Sequence, residues 1–293
     1  LKTIDSQYLA IAEEILNYGE DHADRTGVGT KSLFGVTIRH DLSTGFPLLT
    51  TKFVSFKSAL HETLWMFIQG SSDCTYLKNN NVTIWNEWAV VNNDTNSNGT
   101  IGNLYGPILR SYRVDKNDPT QVIDQLQNCI DMIKNTPNSR RIVMTAFDPR
   151  FAAKENLTFE ENVAAGNGVL NPCHSNFIQF KVTGDGKLNA YFLTRSNDWL
   201  LGAPFNLAAA GFLVHMIAHV CDLEPGMLVY NAVDAHIYNN HQDSIRLQLP
   251  RQEYASPRLL INRKVTDINE FTFEDFELVD YNYHPAIKAP VAI

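Results

Sequence analysis

The chain has 293 residues, 44% of them hydrophobic and 19% charged, a balance that fits a folded protein with a substantial core and excludes a disordered chain. A formal net charge of -8 excludes a global attraction to nucleic acid (no DNA partner) or to an anionic membrane, while a local arginine cluster can still bind phosphate. Cys74, Cys129, Cys173 and Cys221 are widely spaced without a CxxC pair, and the start does not read as a secretory leader. The sequence therefore predicts no disulfide framework, no metal site and a reducing, cytoplasmic setting.

Residues 7–16 carry apolar side chains at helical spacing and predict a first helix ending near Gly19, ahead of a polar turn that holds Asp24, Arg25, Thr26 and Gly27. Strand-like sequence follows over 31–39. Residues 58–69 predict a second helix with a broad apolar face from Leu60, Leu64, Trp65, Phe67 and Ile68. Glu62 is its only acid: either it faces outward on the polar stripe, or it faces inward as a proton carrier whose pKa burial raises. Trp85 and Trp88 are three apart and share one side of a helical turn, as a core pair or as a wall for a flat aromatic ligand. Residues 92–102, rich in Asn, Thr and Gly, read as an exposed loop, and 121–134 return to helical periodicity.

The second half opens on a predicted strand over 141–147, directly after Ser139 and Arg140, and 148–171 read as an elaborated loop. Residues 177–182 and 188–194 predict two strands joined at Gly184-Asp185-Gly186, which sets Cys173 just before a hairpin. Residues 205–220 are apolar nearly all round, as a central buried helix requires, and the run 208–217 is too short to span a bilayer, so no membrane association is expected. Strands over 227–232 and 259–262 complete the sheet. No repeat or linker divides the chain, so the expectation is one α+β domain over 1–293 with a mixed, largely antiparallel sheet packed by helices.

Among the cysteines Cys173 stands apart, because Pro172 and His174 flank it and Arg195 follows on the paired strand, where a guanidinium stabilises a thiolate. His174 is its neighbour in an extended segment and points to the opposite face, which argues against a Cys-His hydrolase relay. Arg25, Arg140, Arg141 and Arg195, with Ser196, supply planar donors suited to one dianion, although a double Arg is also a common solvated pair. Asp198 and Asn206 bracket a Gly-Pro turn, and Asn206 either caps the buried helix or reads a ring edge with its amide. His236 and Tyr238 alternate along an extended segment and share one face, as donors to a sugar hydroxyl or as a structural pair. The apolar terminus 288–293 is a loose tail or a flap.

Taken together, Asp24-Arg25-Thr26-Gly27, Ser139-Arg140-Arg141, Pro172-Cys173-His174, Arg195-Ser196, the run 202–206, His236-Ile237-Tyr238 and the terminal Lys-Ala-Pro-Val-Ala-Ile resemble the thymidylate synthase family from end to end. The resemblance implies a homodimeric α+β fold with a sheet face at the dimer interface, and dUMP and 5,10-methylenetetrahydrofolate as substrates. It implies Cys173 as the nucleophile at uracil C6; Arg25, Arg195 and Ser196 on the phosphate; and Arg140 and Arg141 completing the partner's phosphate site. Asn206 would read the uracil edge and His236 with Tyr238 the 3'-hydroxyl, while Glu62 moves protons through water and Tyr105 helps remove the C5 proton. Asp198 would bind the pterin, with Lys52, Ile84, Trp85, Trp88, Leu201, Gly202, Phe205 and Ala292 completing the folate site.

Thr194, Asn197, the Ala209-Ala210 pair, Phe53 and Ser55 depart from the commonest family pattern. Related pyrimidine hydroxymethylases let water capture the methylene, so a dUMP 5-hydroxymethylase is the alternative, and a non-catalytic nucleotide- or RNA-binding regulator a more distant one. Asn206, which pairs with uracil, and Trp85 with the apolar terminus, which exclude water, favour reductive methylation.

Overall fold

The computed structural model describes residues 1–24, 26–93 and 96–291. In chain order its helices and strands are α1 Ile4–Tyr18, β1 Glu20–His22, β2 Thr30–Asp41, α2 Phe56–Thr63, α3 Thr75–Asn79, β3 Val90–Asn92 and β4 Asn96–Thr100. Then come α4 Gly106–Arg110, β5 Tyr112–Asp115, β6 Asp118–Ile123, α5 Gln125–Asn135, β7 Val143–Met144, α6 Phe159–Ala164, β8 Phe177–Val182 and β9 Lys187–Asp198. The chain closes with α7 Gly202–Val220, β10 Glu224–Tyr238, α8 Gln242–Gln248, β11 Arg258–Ile261 and β12 Phe276–Val279.

Six strands form one sheet in the order β1-β2-β10-β9-β8-β7. Every pairing in it is antiparallel except β9 with β10, so the sheet is mixed and largely antiparallel, as the sequence predicts. The parallel pair exists because α7 carries the chain back across the sheet between its two strands, the connection that parallel neighbours need. α7 packs against β9 and β10 on one side and α2 on the other, with Phe212, Leu213, Met216 and Ile217 wholly buried. Each such side chain contributes about 1.5–3 kcal/mol by leaving water. The helix is 19 residues long, so its apolar length is sufficient to cross a bilayer, contrary to expectation, but it lies inside the protein.

Several expectations change. Residues 92–102 are not all loop, since β3 and β4 pair there around Gly99, whose φ of 92° a side chain would strain. The helix expected from 121 begins at Gln125, where the Asp124 side chain caps it by accepting from Gln127 N–H at 3.0 Å. The β-branched Val122 and Ile123 lie instead in β6, exposed. Only Val143 and Met144 of the strand expected at 141–147 join the ladder. Within 148–171 the chain forms α6, closed at its start by a reciprocal Thr158–Glu161 capping box. The strand near Leu259 does not complete the main sheet, because it pairs with β12 in a separate hairpin.

α2 does run on to Ile68, but its last turn widens to π geometry, with the Gln69 N–H donating to the Leu64 carbonyl at 2.9 Å. That stretch buries Trp65, Met66 and Phe67, and Glu62, in the turn of α2 before it, is only 7% exposed.

Candidate active site

The C-terminal ends of the parallel strands β9 and β10 finish side by side, and their register sets Ser196 opposite Asp234 and Asp198 opposite His236. α7 begins four residues after Asp198, so a cavity of about 390 Å³ opens where strand ends, helix start and α2 meet. Glu62, Trp85, Tyr105, Cys173, Asn206 and Tyr238 all face it. A larger and more open groove of about 600 Å³, between His219, Asp222, Arg263 and Lys264, holds no nucleophile.

Cys173 sits half-buried in the loop before β8, and the loop is fixed by its backbone. The Cys173 N–H donates to the Tyr105 hydroxyl oxygen at 2.9 Å and the His174 N–H to the same atom at 3.4 Å. Ser196 N–H donates to the Cys173 carbonyl at 3.1 Å, and Asn176 Nδ2 to the Pro172 carbonyl at 2.9 Å. Arg195 braces the same loop, with Nε donating to the Pro172 carbonyl at 3.2 Å, and its Nη2 lies 3.9 Å from Cys173 Sγ. A cation at that range favours the thiolate over the thiol.

Tyr105 is wholly buried at a φ of 52°, a strained conformation that aims its hydroxyl at the Cys173 loop. Burial, and then Cys173 beside it, hold that hydroxyl well above the ordinary tyrosine pKa. His174 stacks on the Tyr105 ring at 4.5 Å, and burial lowers it to about 4, so it is neutral. Its Nδ1 lies 3.0 Å from Ser175 Oγ, so the ring is engaged there rather than with the thiol, in keeping with the argument against a Cys-His relay.

Glu62 lies on the inward side of its helix, and burial raises its pKa to about 7, against the pull of Trp85, whose Nε1–H donates to Oε1 at 2.8 Å. Trp85 and Trp88 share a turn, with ring centroids 5.7 Å apart, and with Ile84, Leu201 and Phe205 they make one wall of the cavity apolar. Asn206 is not a cap: α7 starts at Gly202, and Asn206 stands inside its first turns, where it lines the cavity. The entry to the helix is fastened instead by Asp198 Oδ1, which accepts from the Leu200 and Leu201 N–H groups at 2.9 and 3.1 Å. His236 and Tyr238 do share a face, their rings 5.2 Å apart, and His236 Nδ1 is 3.1 Å from Asp234 Oδ1.

Other expected residues lie elsewhere. Lys52 is behind the wall, donating to the Leu200 carbonyl, and burial brings its pKa down to about 8. Arg140 and Arg141 are exposed at the start of β7 and do not line the cavity of their own chain. Arg25 and Ala292 fall outside the described residues. Sequence reasoning gave no role to Leu170 or His241, named Asn197 only as a departure from the family pattern, and counted Val291 only within the apolar terminus. Strand alternation would turn Asn197 away from its neighbours, yet it reaches the cavity as β9 ends, accepting from the Tyr230 hydroxyl at 2.7 Å.

The chain matches the family model for Thymidylate synthase over residues 6–293. It is 44% identical over 287 residues to a protein named "Thymidylate synthase" in Francisella tularensis subsp. holarctica, covering 98% of this chain and 99% of that one. A protein of the same name in Francisella philomiragia subsp. philomiragia is 42% identical over the same length and coverage.

Proposed function

We propose the reaction from an established premise, that this chain belongs to the thymidylate synthase family: it methylates dUMP to dTMP, with 5,10-methylenetetrahydrofolate as donor. The observation that carries the reading is the Cys173 thiol with Arg195 Nη2 at 3.9 Å, in a cavity whose other walls carry an amide, a carboxyl of raised pKa and an indole.

In this reading the Cys173 thiolate adds to C6 of the uracil ring, a C–S bond forms, and the displaced electron pair makes C5 nucleophilic. Asn206 pairs with the ring at O4 and N3–H, and so holds the charge that develops at O4. Glu62, titrating near neutrality, passes protons to and from O4 through water. The Tyr105 hydroxyl, which stays protonated and is fixed by the Cys173 and His174 N–H groups, helps remove the C5 proton by orienting the water that takes it once that carbon is substituted. Arg195, Ser196 and Arg25 take the phosphate, and His236 and Tyr238 the 3'-hydroxyl.

The folate supplies one carbon and a hydride. The fit of the cavity to it rests on the apolar wall of Trp85, Trp88, Ile84, Leu201 and Phe205, beside an acceptor, Asp198, suited to the N–H edge of a pterin. Gly202 lies on that wall, Lys52 steadies it through Leu200, and Ala292 is assigned to the same site. Water kept away by these groups cannot capture the methylene, which favours reduction over hydroxymethylation.

The reading includes a homodimer. Val143, Phe177 and Tyr191 are exposed on one face of β7, β8 and β9, an apolar patch on the side of the sheet away from α7. Arg140 and Arg141 flank that patch, where a partner's phosphate site would meet them.

The deciding experiment incubates the protein with dUMP and methylenetetrahydrofolate and follows product mass and dihydrofolate absorbance together. dTMP and dihydrofolate in equal amounts are expected, and Cys173→Ala abolishes both while keeping dUMP binding by calorimetry. A 5-hydroxymethyl product without dihydrofolate would overturn the assignment.

A further inference from the structure

His241 lies on the short turn Asn239–His241 between β10 and α8, with its side chain wholly buried. Its Nε2 is 2.7 Å from the Pro290 carbonyl oxygen. Its Nδ1 is 3.7 Å from Asp198 Oδ1, an ion-pair distance rather than a hydrogen bond, and meets no hydrogen-bond partner among the described residues. A carbonyl oxygen only accepts, so Nε2 carries a proton. Nδ1 faces a carboxylate, and a bare lone pair there would be buried against negative charge. The doubly protonated ring is the form that suits both neighbours. Those neighbours matter, because Asp198 is on the cavity wall and Val291, next to Pro290, lines the cavity.

We propose that His241 is a positioning residue for the reaction, an imidazolium clamp that seats the C-terminal segment over the cavity by donating to Pro290 while its other face is held by Asp198. The role at the site rests on the reading of this cavity as the dUMP and folate site; the clamp itself does not.

The charged groups facing the ring are Asp198, from the end of β9, and Lys52, from the segment before α2. The β10 side presents the Tyr238 ring, edge-on at 5.4 Å, and the described part of the tail presents the Pro290 carbonyl. Burial is the largest influence and disfavours charge on His241, and Lys52 opposes it as well. Asp198 and the Pro290 carbonyl together outweigh both, so the ring's pKa lies above 6.5. The clamp is therefore full below that ordinary value, and as pH rises through the raised one it loses its charge and the hold of Asp198 and keeps only the weaker neutral Nε2–H bond.

The test is amide hydrogen exchange of residues 287–289 and 291, the proline at 290 having no N–H, in the substrate-free protein and corrected for intrinsic rates. Wild type is expected to show about tenfold more protection at pH 6 than at pH 9, the scale of one charge-assisted hydrogen bond. His241→Gln keeps a donor of similar reach but cannot titrate, so its protection should not change with pH. His241→Asn is too short to reach Pro290, so it should lose protection at both pH values and raise KM for the folate more than it lowers kcat. Wild-type protection that ignores pH, or His241→Asn protected like wild type, overturns the clamp. Because exchange is read without turnover, a protein that forms no dTMP yet shows the pH-dependent protection would lose the proposed reaction and keep the clamp.

Discussion

Glu62 couples the chemistry of the site to the stability of the fold. Between pH 4.5 and about 7 the folded protein keeps a proton on Glu62 that the unfolded chain releases, so stability falls as pH rises through that window, by about 3 kcal/mol at most. Glu62→Gln keeps an acceptor for the Trp85 indole and removes the buried charge. Its Tm at pH 8 should exceed that of wild type by roughly 5 °C, with little difference near pH 4. Its turnover should fall by about 10²–10⁴-fold with dUMP binding retained. Calorimetric melts at two pH values with steady-state kinetics check both, and full turnover in the variant would remove Glu62 from proton handling. At this scale the site was legible where chemistry is contiguous in sequence, as with Cys173 and His174 or Arg195 to Asp198. Glu62 was visible as the one acid in an apolar helix, but only the packing against Trp85 decides that it faces inward. Lys52 and His241 carry no local signal of their places, which are set by Leu200 and Pro290, residues far along the chain.

Among the elements, α7 carries the largest share of core and positions both Asp198 and Asn206 at its entrance. Gly211 marks where it approaches the rest most closely, since a Cβ there would meet Pro47 Cγ at 2.5 Å and Phe46 Cε2 at 3.0 Å. Gly211→Ala should therefore destabilise the protein by about 1–3 kcal/mol, through overpacking rather than helix propensity, which alone would favour alanine. Urea titration measures this, and a variant as stable as wild type would show that the Pro47 segment yields freely. The long elements α1, β2 and β8–β9 could be read from sequence because their burial repeats with their own period, and α7 because it is apolar nearly all round. The hairpin β3–β4 and the start of α5 could not. In the first, polar side chains hide a backbone pairing, and in the second apolar Val122 and Ile123 extend a helical pattern into a strand that Asp124 terminates.

The whole molecule offers a cavity that holds a nucleophile beside Arg195, while Arg140 and Arg141 stand exposed away from it, next to the apolar patch on the outer face of the sheet. Sedimentation or light scattering should accordingly give twice the monomer mass. Mixing inactive Cys173→Ala with inactive Arg141→Ala should restore activity, because hybrid dimers carry one site with both residues intact. A monomer, or a mixture that stays inactive, would sink the shared site. The parallel register of β9 with β10 has a further consequence, for how such a protein can vary through descent. Ser196, Asp198, His236 and Tyr238 face one cavity only because two strands are counted off together, and side chains alternate with every residue. Losing a single codon from one strand would reverse that strand's pair of side chains against the other's, whereas the segment 148–171 joins no strand of the main sheet and can lengthen or shorten. A substitution at one of these positions leaves the register intact, whereas an insertion or deletion in either strand breaks it, so changes of length are confined to the loops.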